Sequence, residues 1–236
     1  MKSLFVFTLI LATSAPLAAQ HVEADSKTLP RSVALGGALH YGAPQGEFAN
    51  NVNAAFGLNG FAGLQLGDSP FLLRADIGFE IYGSKTRTVP LGGGPLGLIM
   101  VNVNTTNNIF NGGIGLQAGV PGRSVSPYVG GSIGFASFVT SSSVSGSNQY
   151  SGEAFASSNN HSDGTFAKTL YGGFYIPVGS NGGAIDIGAR YHFNGEARYL
   201  TDDDISFDQN NNPVLSPRFS RADLLTIQVG FSFKRR

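Results

Sequence analysis

The chain has 236 residues and a formal net charge of zero, with only 13% of its residues charged. That balance leaves no basic surface for nucleic acid, and the absence of cysteine excludes a disulfide framework. The remaining bias, 33 glycines and 18 phenylalanines without a tryptophan, suits curved strands that need close backbone approach on one face and bulk on the other.

Residues 1–20 read as a secretory signal. Lys2 is its charged start, Leu4 to Ala12 its apolar run, and Ala15, Ala18 and Ala19 its small residues, with a cut at about 18 to 20. A short segment, 21–32, precedes the folded domain, 33–236. No later stretch offers 18 consecutive apolar residues, so no transmembrane helix is expected.

What recurs instead is period-two alternation. Val33 to Tyr41 places Val33, Leu35, Leu39 and Tyr41 together, and Ala54 to Leu66 does the same with Phe56, Leu58, Ala62, Leu64 and Leu66. FLLRADIGFEIY, from Phe71, divides Phe71, Leu73, Ala75, Ile77, Phe79 and Ile81 from Leu72, Arg74, Asp76, Gly78, Glu80 and Tyr82. A fourth strand is expected at Phe110 to Val120, with Leu98 to Asn108 continuing it. The fifth starts at Tyr128, the sixth covers Phe166 to Val178, the seventh starts at Ala184, and the eighth is the closing LLTIQVGFSF from Leu224. Each is long enough to cross a bilayer when tilted.

The joins at 67–70, 121–127 and 179–183 are short and rich in turn residues, whereas those near 42–53, 83–97, 139–165 and 195–221 are long, polar and read as loops. Short and long alternate, which sorts turns to one end and loops to the other. An immunoglobulin-like sandwich does not sort its loops in this way, and an up-and-down barrel does. In a sandwich the apolar stripes would form a core, while in a membrane barrel they would meet lipid and the polar faces would fill the lumen. The expected fold is therefore all-β, an eight-stranded antiparallel up-and-down transmembrane β-barrel whose closure leaves no edge unpaired in the bilayer.

SPYVGGSIGF (126–135), IDIGARYHF (185–193) and IQVGFSF (227–233) resemble the outer-membrane β-barrel domain family, small eight-stranded porin-like proteins that include the membrane domain of outer-membrane protein A. The resemblance covers essentially the whole mature chain. It implies a place in the outer membrane of a Gram-negative-type cell envelope, periplasmic termini that include 21–32, contact with outer-membrane lipid, and assembly by the barrel-insertion machinery. One departure is that Lys234, Arg235 and Arg236 follow Phe233, where family members commonly end on the aromatic.

The polar faces carry Asn59, Gln65, Gln117 and Gln228, and also Lys168 if the upper half of its strand takes the opposite register. Charges concentrate on strands three and seven, as Arg74, Asp76, Glu80, Asp186, Arg190 and His192. In an eight-stranded barrel these strands stand opposite one another across a lumen wide enough only for side chains. Desolvated charges must pair, so Arg190 is expected to meet Asp76 or Glu80, and Arg74 to meet Asp186 or Asp76. Such a network would plug the barrel.

These readings lead to a monomeric envelope protein with a structural or surface-interaction role, without catalytic residues, cofactor or metal. A narrow passive, porin-like pore is the alternative, and a lipid-modifying enzyme the third reading. RYHFN (190–194) resembles the His-x-Ser strand of outer-membrane lipid A deacylases, but Asn194 stands where the serine would be and cannot be a nucleophile. His21, His40 and His161 lack metal-ligand spacing, and adjacency alone does not make His161-Ser162-Asp163 a triad. TDDDISFDQNNN (201–212) lacks the glycine and closing glutamate of a calcium loop, and LGGGP (91–95) has no strand-to-helix context for phosphate. The Ser/Asn-rich stretch 139–164 reads as a flexible exposed loop, the place for an extracellular ligand.

Overall fold

The structure, a computed structural model, describes residues 32–91, 99–120, 125–146, 154–179, 181–201, 204–207 and 213–235. The signal over 1–20 and nearly all of 21–32 lie outside these residues, as do most of LGGGP and part of 201–212.

Eight antiparallel strands form a closed ring: β1 (Val33–Pro44), β2 (Ala55–Gln65), β3 (Phe71–Leu91), β4 (Ile99–Gly119), β5 (Ser126–Gly146), β6 (Ala154–Val178), β7 (Gly183–Asn194) and β12 (Leu224–Arg235). β1 closes on β12 with Leu35 opposite Phe233 and Leu39 opposite Val229. A one-turn helix, α1 (Gly46–Ala49), follows β1. The connection from β7 to β12 folds into four short strands: β8 (Glu196–Tyr199), β9 (Ile205–Phe207), β10 (Pro213–Leu215) and β11 (Arg218–Arg221).

The alternation written in the sequence becomes an inverted distribution of polarity. Leu39 and Ile77 are 71% and 72% exposed on the outward face, whereas Arg74 and Glu80 are each 1% exposed within the ring. Ile187, Ile227 and Phe231 also point outward. Within the belt every strand of the ring has a partner on both sides, so its backbone groups there are satisfied without water, as a bilayer requires. No helix among the described residues is long and apolar enough to cross a membrane.

Close strand approach explains much of the glycine. A Cβ at Gly134 would stand 1.9 Å from the Gly112 carbonyl oxygen, and one at Gly57 would stand 2.1 Å from that of Phe79. No other residue fits there.

The barrel is lopsided. β3 to β6 run for 21 to 25 residues, while β1, β2, β7 and β12 run for 11 or 12. The stretches 83–91, 139–146 and 154–165, read from sequence as loop, instead continue the strands into a four-stranded sheet beyond the belt. The reason lies in the rungs: Thr88 donates to Asn102 at 2.8 Å, Thr86 to Asn104 at 3.3 Å, and Thr105 meets Ser142 at 2.8 Å. Hydroxyl and amide ladders hold this sheet where an apolar stripe holds the ring. The expected upward continuation of the fourth strand is present as the upper half of β4.

Candidate functional site

The site is the lumen, and it is built in layers. At the short-turn end a cavity of about 300 Å³ opens between Ala34, Phe61, Leu72, Gln117, Tyr175 and Ala184. Tyr128, stacked on Tyr175 at 4.4 Å, lies above it and donates to Asp186 Oδ1 at 2.6 Å. Gln228 donates to the other Asp186 oxygen at 3.0 Å.

The next layer is ionic. Arg74 donates through Nε to Asp76 Oδ1 at 2.9 Å and through a terminal nitrogen to Gln117 at 2.8 Å. Its guanidinium lies over the Phe61 ring at 3.7 Å and near Tyr171 at 4.9 Å. Arg190 reaches across from β7 to the same Asp76 oxygen at 2.5 Å. One carboxylate thus serves two arginines, and the aromatic rings supply faces to the cationic charge left over. Glycines make the room: a Cβ at Gly36 would fall 2.3 Å from Phe61, and one at Gly130 would fall 2.5 Å from Tyr171.

Glu80 forms the layer above. Asn111 donates to both of its oxygens at 2.9 Å, and His40 Nε2 stands 3.1 Å from Oε1. Asn59 is 3.1 Å from His40 Nδ1 and donates to Gln228 at 3.0 Å. With the Asn59 amide nitrogen as donor, His40 Nδ1 is the acceptor of that bond. A chain of contacts therefore runs from Glu80 through His40, Asn59 and Gln228 to Asp186.

Of the residues expected from sequence, Arg74, Asp76 and Arg190 form one cluster, and Glu80 heads the second. Asp186 does not meet Arg74, because Tyr128 and Gln228 occupy its oxygens. His192 is buried 3.1 Å from Thr169 Oγ1 and adjoins, with Asp76 and Arg190, a void of about 10 Å³, close to the size of one water. Lys168 is turned outward and exposed: β6 keeps the register of Phe166 and Leu170, with the bulges lying higher, opposite Thr140 and Val144. Sequence reasoning missed His40, Asn111 and the inward tyrosines. Their signal was aromatic and glycine alternating on one face, as in Tyr171-x-Gly173-x-Tyr175.

A second closure lies above the ionic layers. α1 drops Phe48, fully buried, into the mouth of the ring, edge-on to Tyr82, Phe138 and Tyr199 at 5.7, 6.2 and 5.1 Å. Ile109 and Leu224 pack into the same cluster. The β8–β11 hairpin is tied down over it: Tyr82 donates to the Leu200 carbonyl at 3.1 Å, and Arg218 binds both Asp204 oxygens at 2.9 and 3.0 Å and Asn51 at 2.6 Å. Asp204, expected in a solvated acidic loop, instead also accepts from the Thr201 amide at 2.8 Å. His161 and Asp163 belong to β6, not to a loop. His161 Nε2 lies 2.9 Å from the Arg198 carbonyl, and Asp163 accepts from the Arg198 amide at 2.6 Å, fastening the hairpin to the wall.

No protein-family model and no curated protein matches the sequence at a significant level. Among solved structures the chain is similar to Neisserial surface protein A, at 15% identity and a TM-score of 0.42 over 87% of this chain and 97% of that one. It is similar also to a major outer membrane protein from Thermus thermophilus, at 11% identity and a TM-score of 0.46 over 87% of this chain and 98% of that one. A third is Ail, the attachment invasion locus protein of Yersinia pestis, at 12% identity and a TM-score of 0.35 over 87% of this chain and 97% of that one. At these identities the likeness is one of fold, and no role is carried across with it.

Proposed function

We propose that this chain is a closed outer-membrane barrel with a structural or surface-interaction role, seated in lipid by its apolar belt and presenting the projecting β3–β6 sheet outward. The observation that carries this reading is the double closure of the lumen, by the Asp76–arginine cluster and by the Phe48 cap. A path for solute would have to part both. The cavity at the short-turn end is lined by Gln117 and Tyr175, with Arg74 bonded to Gln117 behind them, and supports a vestibule, not a channel.

Lipid, the insertion machinery during assembly and a surface ligand at the sheet are the partners this role calls for, and a ring closed by one chain supports a monomer. The non-enzymatic reading is supported by His192, which faces the lumen beneath the cap, away from any acyl chain outside. Planar-bilayer recording tests the proposal. The wild-type protein is expected to give no steady conductance, and a steady channel would favour the narrow pore.

A further inference from the structure

From the position of Lys168, we infer a site on the outer wall of the barrel for a phosphate carried by a lipid headgroup. The inference rests on the membrane reading above. Among the described residues, Lys168 is the one charged side chain on the outward face of the belt; Phe166 and Leu170 flank it along β6, and Ile133 and Phe193 face it on the neighbouring strands. All four neighbours are exposed apolar residues. No described carboxylate forms an ion pair with it.

A cation in such company is costly at the bilayer midplane and nearly free at the interface, so its height decides its meaning. Val178, the last residue of β6 at the short-turn end, lies ten residue steps along the strand from Lys168. At about 3.3 Å per residue and a tilt of about 40°, they climb about 25 Å, the height of a barrel's apolar band. The Lys168 backbone therefore stands at the upper rim, and its four-carbon stem lies along Phe166 while the ammonium reaches the headgroup layer.

A second cation stands above it. Ala197 and Tyr199 are fully buried in the cap, so Arg198 between them points outward, its guanidinium 6.0 Å from the exposed Phe219 ring. The hydrogen bonds of Arg198 to His161 and Asp163 fix it beside the same strand that carries Lys168. Lys168 within its apolar surround complements an anionic headgroup bearing phosphate, while Arg198, bonded to Asp163 five residues farther up β6 and so about 13 Å higher, lies above that contact. The site continues a surface that already meets lipid.

The test compares the wild-type chain with Lys168→Met and Lys168→Arg, each folded into vesicles of an uncharged galactolipid doped with phosphatidic acid. Each protein is then extracted in mild detergent, and the retained phosphatidic acid is counted by mass spectrometry. Retention is expected to fall about fivefold in Lys168→Met, the contribution of one basic residue at an anionic surface, and to recover in Lys168→Arg. Equal retention by wild type and Lys168→Met overturns the inference. Excess inorganic phosphate is expected to leave retention unchanged, and displacement down to the Lys168→Met level overturns the commitment to a lipid-borne phosphate. Heat-modifiable migration and vesicle insertion are scored in parallel. If the wild-type chain fails these, the membrane reading itself is defeated and the site falls with it.

Discussion

The ionic layer and the aromatic cap close the same lumen by opposite chemistry. The lower closure is made by the strands: Arg74 and Asp76 project from β3 and Arg190 from β7, and the pairing follows from which face each residue occupies. The upper closure is delivered from outside the ring, by Phe48 on α1 and Tyr199 on β8. Charges in the first are mutually dependent, since any one left alone is a desolvated ion. Rings in the second share a non-directional contact that tolerates partial loss. The ionic layer should fail as a unit, and the cap by degrees.

Asp76→Ala breaks the comparison most severely. It strands two buried arginines at once, and loss of one partner of a buried pair costs about 3–5 kcal/mol. Urea unfolding in lipid vesicles is expected to show a loss in that range, with the whole ring unfolding together. Replacing Asp76, Arg74 and Arg190 by apolar residues of similar volume is expected to cost less than Asp76→Ala alone, because no ion is then left unpaired. A triple variant weaker than the single one would mean that the layer stabilises the barrel by more than mutual neutralisation.

Phe48→Ala should cost about 3 kcal/mol or slightly more, the range for a buried phenylalanine, but the loss should be local. Hydrogen exchange is expected to rise in β8 and β11 while the amides of β1, β2 and β7 stay protected. Planar-bilayer current should remain absent, because the Asp76 cluster still blocks the passage. Steady conductance from Phe48→Ala would make the cap the true closure and the ionic layer permeable.

The membrane half of the fold was legible in the sequence because burial and exposure alternate with a period of two, and one face of each strand meets a uniform solvent. The Arg190–Asp76 contact followed from the same parity. Of the upper sheet only the β4 half was legible; the upper parts of β3, β5 and β6 were not, since Thr86, Thr88 and Ser142 find polar partners on β4 and announce no strand of their own. Phe48 was equally silent: a lone aromatic in GEFAN has no periodic partners, and its role arises only when β5, β3 and β8 bring Phe138, Tyr82 and Tyr199 around it. For Lys168 the condition placed on it, an opposite register in the upper half of its strand, is not met. No bulge lies between Phe166 and Val178, so parity carries the lysine outward despite its charge.

The smallest expected effect tests the tether between the cap and the barrel. Arg218 is 42% exposed where it binds Asp204, itself only 8% exposed, so solvent screens much of the attraction. An ion pair of this kind is worth about 1 kcal/mol or less. Arg218→Gln also disturbs the hydrogen bond to Asn51, which joins the hairpin to the segment after α1. Because these contacts tie connections to each other and not strand to strand, their loss should open the cap without loosening the ring. Global unfolding is expected to stay within about 0.5 kcal/mol of wild type, as for surface changes, while proteolysis near β9 and β10 speeds up severalfold. If Arg218→Gln instead lowers global stability by about 3 kcal/mol, the full value of a buried phenylalanine, the cap and ring form one cooperative unit, and the two closures are less independent than their chemistry implies.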